Sequence, residues 1–170
     1  GFQWWYTGNG PAAGVQLGYN LTDWLDMKVR VQNGLYGGPL DINDQKTLLA
    51  SIGIKPDDKT WISLIGFGGD GMPVTDTVKG GAVLAGRQST EKLNTGLEFD
   101  YFVFEPAVGS SKDLWSIGGW AAYDFTPKFG VGLRGEFLDD KDGGGLKGGG
   151  VGRPMTVKDP VDKSKIAATS

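Results

Sequence analysis

The stretch LDMKVRVQ, residues 25–32, alternates apolar and polar side chains without a break. The apolar set is Leu25, Met27, Val29 and Val31. The polar set is Asp26, Lys28, Arg30 and Gln32. Successive side chains of a β-strand point to opposite faces, whereas side chains of a helix return to the same face every 3.6 residues. The stretch therefore predicts a strand with one apolar face and one charged face.

Similar alternation recurs along the chain and predicts further strands at 15–20, 47–54, 95–103, 115–125 and 129–137. Two of these strands repeat the division into an apolar and a charged side. The apolar side holds Leu97, Phe99, Val131 and Leu133. The charged side holds Glu98, Asp100, Arg134 and Glu136. Residues 61–68 are apolar on both sides, so their register stays open, and 2–7 is a short further candidate.

The connections between these segments alternate in length. Short turns rich in Thr, Pro and Asp lie at 21–23, 56–58 and 126–128. Long connections lie at 34–45, 69–92 and 105–113. Short turns at one end and longer loops at the other are typical of outer-membrane barrels. The pattern predicts an all-β, antiparallel, up-and-down transmembrane β-barrel.

Aromatic side chains flank the three short turns, namely Trp24, Trp61, Phe125 and Phe129. In a membrane barrel such residues form a girdle at the headgroup layer. The alternative is that they are ordinary core aromatics, which are common in any strand. The period, the charges of both signs and the loop lengths together favour the girdle.

Composition excludes several classes of function. The 170 residues include 30 Gly but no His and no Cys, and 17 Lys and Arg stand against 20 Asp and Glu. Without His and Cys there is no Ser-His-Asp triad and no Cys/His zinc site, so we expect no catalytic residues, no metal and no enzyme activity. Without a basic cluster we expect no nucleic acid partner. Two glycine-rich stretches fit G-x-G-x-x-G but open no helix, so no cofactor is expected either.

The sequence divides into two parts. Residues 1–138 contain the predicted barrel strands, and residues 139–170 are rich in Gly and Asp and read as a flexible loop or truncated tail with little to bury. The final residues resemble no closing strand, so the chain is expected to stop within a loop.

Four stretches resemble the OmpL-like β-barrel porins of Gram-negative outer membranes. They are LGYNLTDWL at 17–25, VQNG at 31–34, WAAYDFTPKFGVGLRGEF at 120–137 and DKDG at 140–143. The resemblance covers about residues 12–143. It implies a barrel of more than eight strands, of which this chain would be an internal piece of about eight, embedded in the bacterial outer membrane.

Three functions follow as hypotheses. The first is a porin for passive diffusion of small hydrophilic solutes, embedded in outer-membrane lipid. Its lipid-facing residues are the apolar sets named above. Its pore is lined by Asp26, Lys28, Arg30, Gln32, Glu98, Asp100, Arg134 and Glu136. The second is a non-conducting scaffold whose loops 69–92 and 139–170 bind a partner or polysaccharide. The third is a Gly-rich β-sandwich that binds sugars through exposed Trp. Whether identical copies assemble is left open.

Overall fold

The structure, a computed structural model, describes residues 13–35, 45–70, 77–106 and 108–140. Within these ranges the chain forms eight strands and no helix. They are β1 (Gly14–Thr22), β2 (Leu25–Gln32), β3 (Thr47–Asp57), β4 (Thr60–Asp70), β5 (Thr77–Gln88), β6 (Leu93–Glu105), β7 (Lys112–Thr126) and β8 (Phe129–Asp139). Each strand pairs antiparallel with the next, in one sheet ordered β1 to β8.

This architecture confirms the predicted all-β, up-and-down fold. The sheet is open, because β1 and β8 do not pair with each other in the described part of the chain, and an open sheet of this kind is consistent with part of a barrel. All described strands lie in one sheet rather than in two packed sheets, so the sandwich alternative is wrong.

Most predicted strands lie inside observed ones. The prediction for β2 matches at both ends, and the segments predicted for β1, β3, β4, β6, β7 and β8 extend by a few residues. The candidate strand 2–7 lies outside the described residues. So does most of the predicted tail 139–170, of which the structure describes only Asp139, the last residue of β8, and Asp140.

The prediction of a long connection at 69–92 is wrong, because Thr77–Gln88 forms β5. This strand pairs with β6 along its full length and with β4 from Thr77 to Arg87. Its sequence, TVKGGAVLAGRQ, is rich in Gly and Ala, which are depleted in strands when judged by propensity alone. Its place in the sheet is decided instead by the neighbouring strands.

Gly80 of β5 shows how the neighbouring strands limit which residue fits at a position of β5. The rings of Phe67 on β4 and Phe102 on β6 meet with centroids 4.8 Å apart. A Cβ at Gly80 would lie 2.1 Å from the carbonyl oxygen of Tyr101 and 3.0 Å from the Phe67 ring. Because side chains two strands apart meet above it, this position has no room for a side chain.

The connections alternate in length once β5 is included. At one end of the sheet, β1–β2, β3–β4 and β7–β8 are joined by two residues each, and β5–β6 by residues 89–92. Side chains fix these turns: the Lys59 N–H donates to Asp57 Oδ1 at 2.8 Å, and the Trp24 N–H donates to Thr22 Oγ1 at 3.3 Å. The hydrogen bond from Lys59 lowers the pKa of Asp57, with smaller contributions from Thr60 and Arg87. We call this end the turn end and the opposite end the loop end.

The two faces of the sheet differ in burial. We call the face that carries Lys28, Arg30 and Glu98 the inner face and the opposite one the outer face. Buried side chains collect on the inner face, where strands two apart touch each other, so the sheet is concave on that side. A buried apolar cluster lies there near the loop end, formed by Leu35, Val78, Phe102, Phe104 and Leu114.

A glycine comparison tests the packing above β5. We expect Gly80→Ala to destabilise the folded sheet by about 1–3 kcal/mol, because the added methyl group must displace backbone. Gly66→Ala on the outer face of β4 is the matched control, since a Cβ there meets nothing within 4 Å. Urea titration of the folded fraction in detergent micelles, followed by gel mobility, measures both variants. Equal effects would contradict the packing described.

Candidate functional site on the inner face

The register brings the predicted charged residues together on one face. In one row across the sheet, Lys28 on β2 aligns through Ser51, Ile65 and Ala82 with Asp100 on β6. By the same alternation the inner face also carries the other predicted lining residues. These are Asp26, Arg30, Gln32, Glu98, Arg134 and Glu136. That they line a water-filled pore stays a prediction.

The β2 side of this face is basic. Arg30 donates from Nε and Nη2 to Gln16 Oε1 on β1, at 3.0 and 2.7 Å. Lys28 Nζ lies 3.1 Å from Asp26 Oδ1, and about half of the Lys28 side chain is exposed. We call Lys28 and Arg30 the basic bank.

The β6–β8 side is acidic. Arg134 Nη2 lies 3.1 Å from Glu98 Oε2, and its Nε donates to the Glu136 carboxylate. Arg134 reaches β6 from β8 past Gly118, which lies between Glu98 and Glu136 in the register. Asp100 is buried and accepts a hydrogen bond from Ser116 Oγ at 2.9 Å. We call Glu98 and Asp100 the acidic bank.

A cavity of about 290 Å³ is bordered by both banks. The strands between them contribute uncharged side chains to its lining, namely Leu49, Ser51, Ile65, Phe67, Ala82 and Leu84. Fixed charges of opposite sign thus face each other across a neutral floor, and such an arrangement sets up a field across the cavity. Among the described residues no group of His, Cys, Asp or Glu is arranged to hold a metal ion.

The apolar cluster at the loop end was missed by the sequence analysis. Strict alternation groups Phe102 with the charged side chains, but the residue is only 1% exposed and packs against Phe67 and Phe104. Leu35, which belongs to the β2–β3 connection, is 2% exposed in the same cluster. The inner face is therefore polar in its middle and apolar near the loop end.

Trp61 lies on the inner face, not on the outer face where the predicted girdle would be. One row of the register runs from Trp61 through Gly86 and Gly96 to Trp120. A Cβ at Gly86 would lie 2.5 Å from Trp61 Nε1, and one at Gly96 would lie 2.3 Å from Trp120 Nε1. Each indole therefore covers the glycine of the next strand. Alternation left the face of Trp61 undecided because 61–68 is apolar on both sides.

The other three predicted girdle residues lie near the turn end. Phe125 and Phe129 form an aromatic group with Tyr123. The ring centroid of Phe125 lies 5.8 Å from that of Phe129 and 4.9 Å from that of Tyr123. Phe125 is 53% exposed and Phe129 is 61% exposed. Trp24 lies in the β1–β2 turn and borders the same cavity as Trp61 and Trp120.

The outer face carries the predicted lipid-facing residues. The register places on it Leu25, Met27, Val29, Val31, Leu97, Phe99, Val131 and Leu133. Seven of these count among the exposed large apolar side chains, with Leu133 at 74% and Leu97 at 64%, and Leu25 is partly buried. Soluble monomers rarely expose a continuous apolar surface of this extent.

No helix within the described ranges is long and apolar enough to cross a membrane. No curated protein and no solved structure matches the chain. The sequence profile of the family described as "Putative beta-barrel porin-2, OmpL-like" matches residues 3–169, nearly the whole chain. The alternating strands, the charged inner face and this match agree, and the chain belongs to the OmpL-like family of β-barrel porins.

Proposed function

We propose that the protein forms a water-filled channel for passive diffusion of small hydrophilic solutes across the bacterial outer membrane. The observation that carries the proposal is the division of one sheet into an exposed apolar face and a charged concave face. Membership of a porin family supports a porin-like role and an outer-membrane location, and it points to a channel or structural protein rather than an enzyme.

The outer face supports lipid as the surrounding medium. Keeping apolar surface in water costs about 25 cal/mol for each Å². Leu17 and Val29 lie exposed side by side on β1 and β2, and Leu133 is exposed on β8, so the total cost in water is large. Contact with acyl chains removes that cost, whereas the charged inner face requires water.

The inner face supports a passage with weak charge preference. Among the predicted lining residues, three cationic side chains, Lys28, Arg30 and Arg134, stand against four acidic ones, Asp26, Glu98, Asp100 and Glu136. With signs nearly balanced, the net charge neither repels nor concentrates ions strongly. The separation of the two banks orients polar solutes instead, which suits uncharged hydrophilic molecules.

A second candidate function is a non-conducting barrel scaffold. The observation in its favour is the apolar cluster at the loop end, because Phe102 and Leu35 are almost fully buried on the face that water would have to follow. Apolar constrictions stop conduction when water leaves them. In this alternative the loops at that end bind a partner or polysaccharide. The loop proposed from 69–92 shrinks to residues 71–76, since β5 occupies most of that range.

Single-channel recording separates the two candidates. The full-length protein, purified in mild detergent and added to a planar bilayer, is expected to give stepwise ohmic currents because its charged inner face holds water. A membrane-embedded protein without currents would favour the scaffold. Recovery of the protein in the soluble fraction would contradict both.

A charge substitution tests whether the basic bank faces the permeating ions. Arg30→Gln is expected to shift the cation-to-anion permeability ratio toward cations by about twofold, because it removes a fixed positive charge from the passage. Lys79→Gln is the control, since Lys79 lies on the outer face beside Glu105. Reversal potentials under a salt gradient give the ratio. An unchanged ratio for Arg30→Gln would place the bank away from the ion path.

A pair of neighbouring substitutions on β4 tests which face meets lipid. Leu64 is on the outer face, halfway along the sheet, and Ser63 is on the inner face. Leu64→Arg is expected to lower the free energy of unfolding by about 2–4 kcal/mol, because a cation at the bilayer midplane loses its hydration. Ser63→Arg, whose charge stays in water, is expected to change it little. Denaturant unfolding in lipid vesicles measures both, and a larger effect at Ser63 would overturn the assignment of faces.

A further inference from the structure

A second cavity opens on the inner face at the turn end, with a volume of about 570 Å³. It is distinct from the charged cavity between the two banks, because the two share no lining residue. Three of its lining residues are Trp24, Trp61 and Trp120, and two more are the amides Gln88 and Asn94. Nine of its thirteen lining residues are polar or charged, so the cavity combines three indole rings with many hydrogen-bonding groups.

The indoles of Trp61 and Trp120 form the floor of this cavity. Trp61 on β4 leans over Gly86 of β5, and Trp120 on β7 leans over Gly96 of β6, so the two rings extend toward each other. Strands lie about 4.8 Å apart, so the row from β4 to β7 spans about 14 Å. No side chain rises between the rings in that row, and Trp61 is 42% exposed. The two indoles together cover both glycines, and the row forms an aromatic platform about as long as two sugar rings.

The two amides stand beside this platform. Gln88 and Asn94 are direct partners in the β5–β6 register, one inner-face position closer to the turns than Gly86 and Gly96. Two residues along a strand correspond to about 6.7 Å. Each amide offers both a hydrogen-bond donor and an acceptor, which is what hydroxyl groups require.

The charges around the cavity balance. The residues that border it include three acidic and three basic ones, namely Asp23, Asp57, Asp58, Lys55, Lys59 and Arg87. Asp57 and Arg87 share the outer-face register position of Thr60 and pair with each other, with Arg87 Nη1 3.1 Å from Asp57 Oδ2. The other two acidic and two basic residues remain for the cavity. A balanced rim gives no net attraction for ions of either sign, so it favours an uncharged occupant.

We propose that this cavity is a binding site for neutral saccharides. A pyranose ring would lie with its C–H face on the indoles of Trp61 and Trp120 and share its hydroxyl groups with the amides of Gln88 and Asn94. This inference rests on the proposed channel function and deepens it, because it names the solute class that enters or leaves at the turn end.

Binding in detergent tests the site without requiring conduction. The full-length protein is folded in a detergent whose headgroup carries no sugar, and maltohexaose is titrated by calorimetry, with hexagalacturonate as the anionic comparison. We expect maltohexaose to bind, and Trp61→Ala or Trp120→Ala each to weaken the binding about tenfold, because stacking area on the platform is lost. Trp115→Ala is the matched control, since Trp115 lies on the outer face against Phe99 and Phe137.

A second variant guards against loss of folding, because an indole that covers a glycine also stabilises its strand pair. Asn94→Ala keeps both indoles and is expected to weaken maltohexaose binding at least severalfold, while gel mobility shows the folded form.

The outcomes separate this site from the channel. Channel currents without maltohexaose binding would overturn the saccharide site and leave the channel function intact. Maltohexaose binding without currents would overturn the channel function and leave the site. Wild-type affinity in the Trp61, Trp120 and Asn94 variants would show that sugar binds elsewhere, and tighter binding of hexagalacturonate would overturn the preference for neutral sugars.

Discussion

The structure depends on large side chains of the inner face lying over glycines of the neighbouring strand. Phe67 and Phe102 meet above Gly80, Trp61 covers Gly86, and Trp120 covers Gly96. On a concave face, side chains converge, so bulk on one strand requires its absence on the next. Gly80, Gly86 and Gly96 are thus a condition of the close packing on this concave face.

This constraint explains how much of the fold could be predicted from the sequence. In β2 each side chain faces either the exposed apolar surface or the charged concavity, so alternation predicts both ends of the strand. In β5 the inner positions of Gly80 and Gly86 are covered by Phe67 and Trp61 of β4, so these positions carry no side chain and the alternation is lost there. The residues that explain β5 therefore lie in β4 and β6, so the pattern within residues 77–88 alone does not predict this strand.

The same reasoning applies to the candidate site. The charged residues could be assigned to one side because each alternates with apolar neighbours, as in Lys28 and Arg30. The face of Trp61 could not, because the residues around it are apolar on both sides of the strand. Alternation places Phe102 on the inner face, where a polar residue is expected. The residue is apolar because other side chains, not water, cover the inner face at this point. Periodicity gives the face of a residue, and only packing gives its surroundings.

The inner face thus has three zones along the strands: an apolar cluster at the loop end, charged banks in the middle and indoles at the turn end. The apolar zone differs from the others because part of it comes from a connection. Gly34 has a φ of 88°, and Gln32 Nε2 donates to its carbonyl at 2.8 Å. This turn directs Leu35 onto the cluster, where it also borders the cavity between the banks. The charged zone and the platform are built on paired strands. The position of Leu35 depends instead on how the turn after β2 is folded, whereas the other four members of the cluster lie on paired strands.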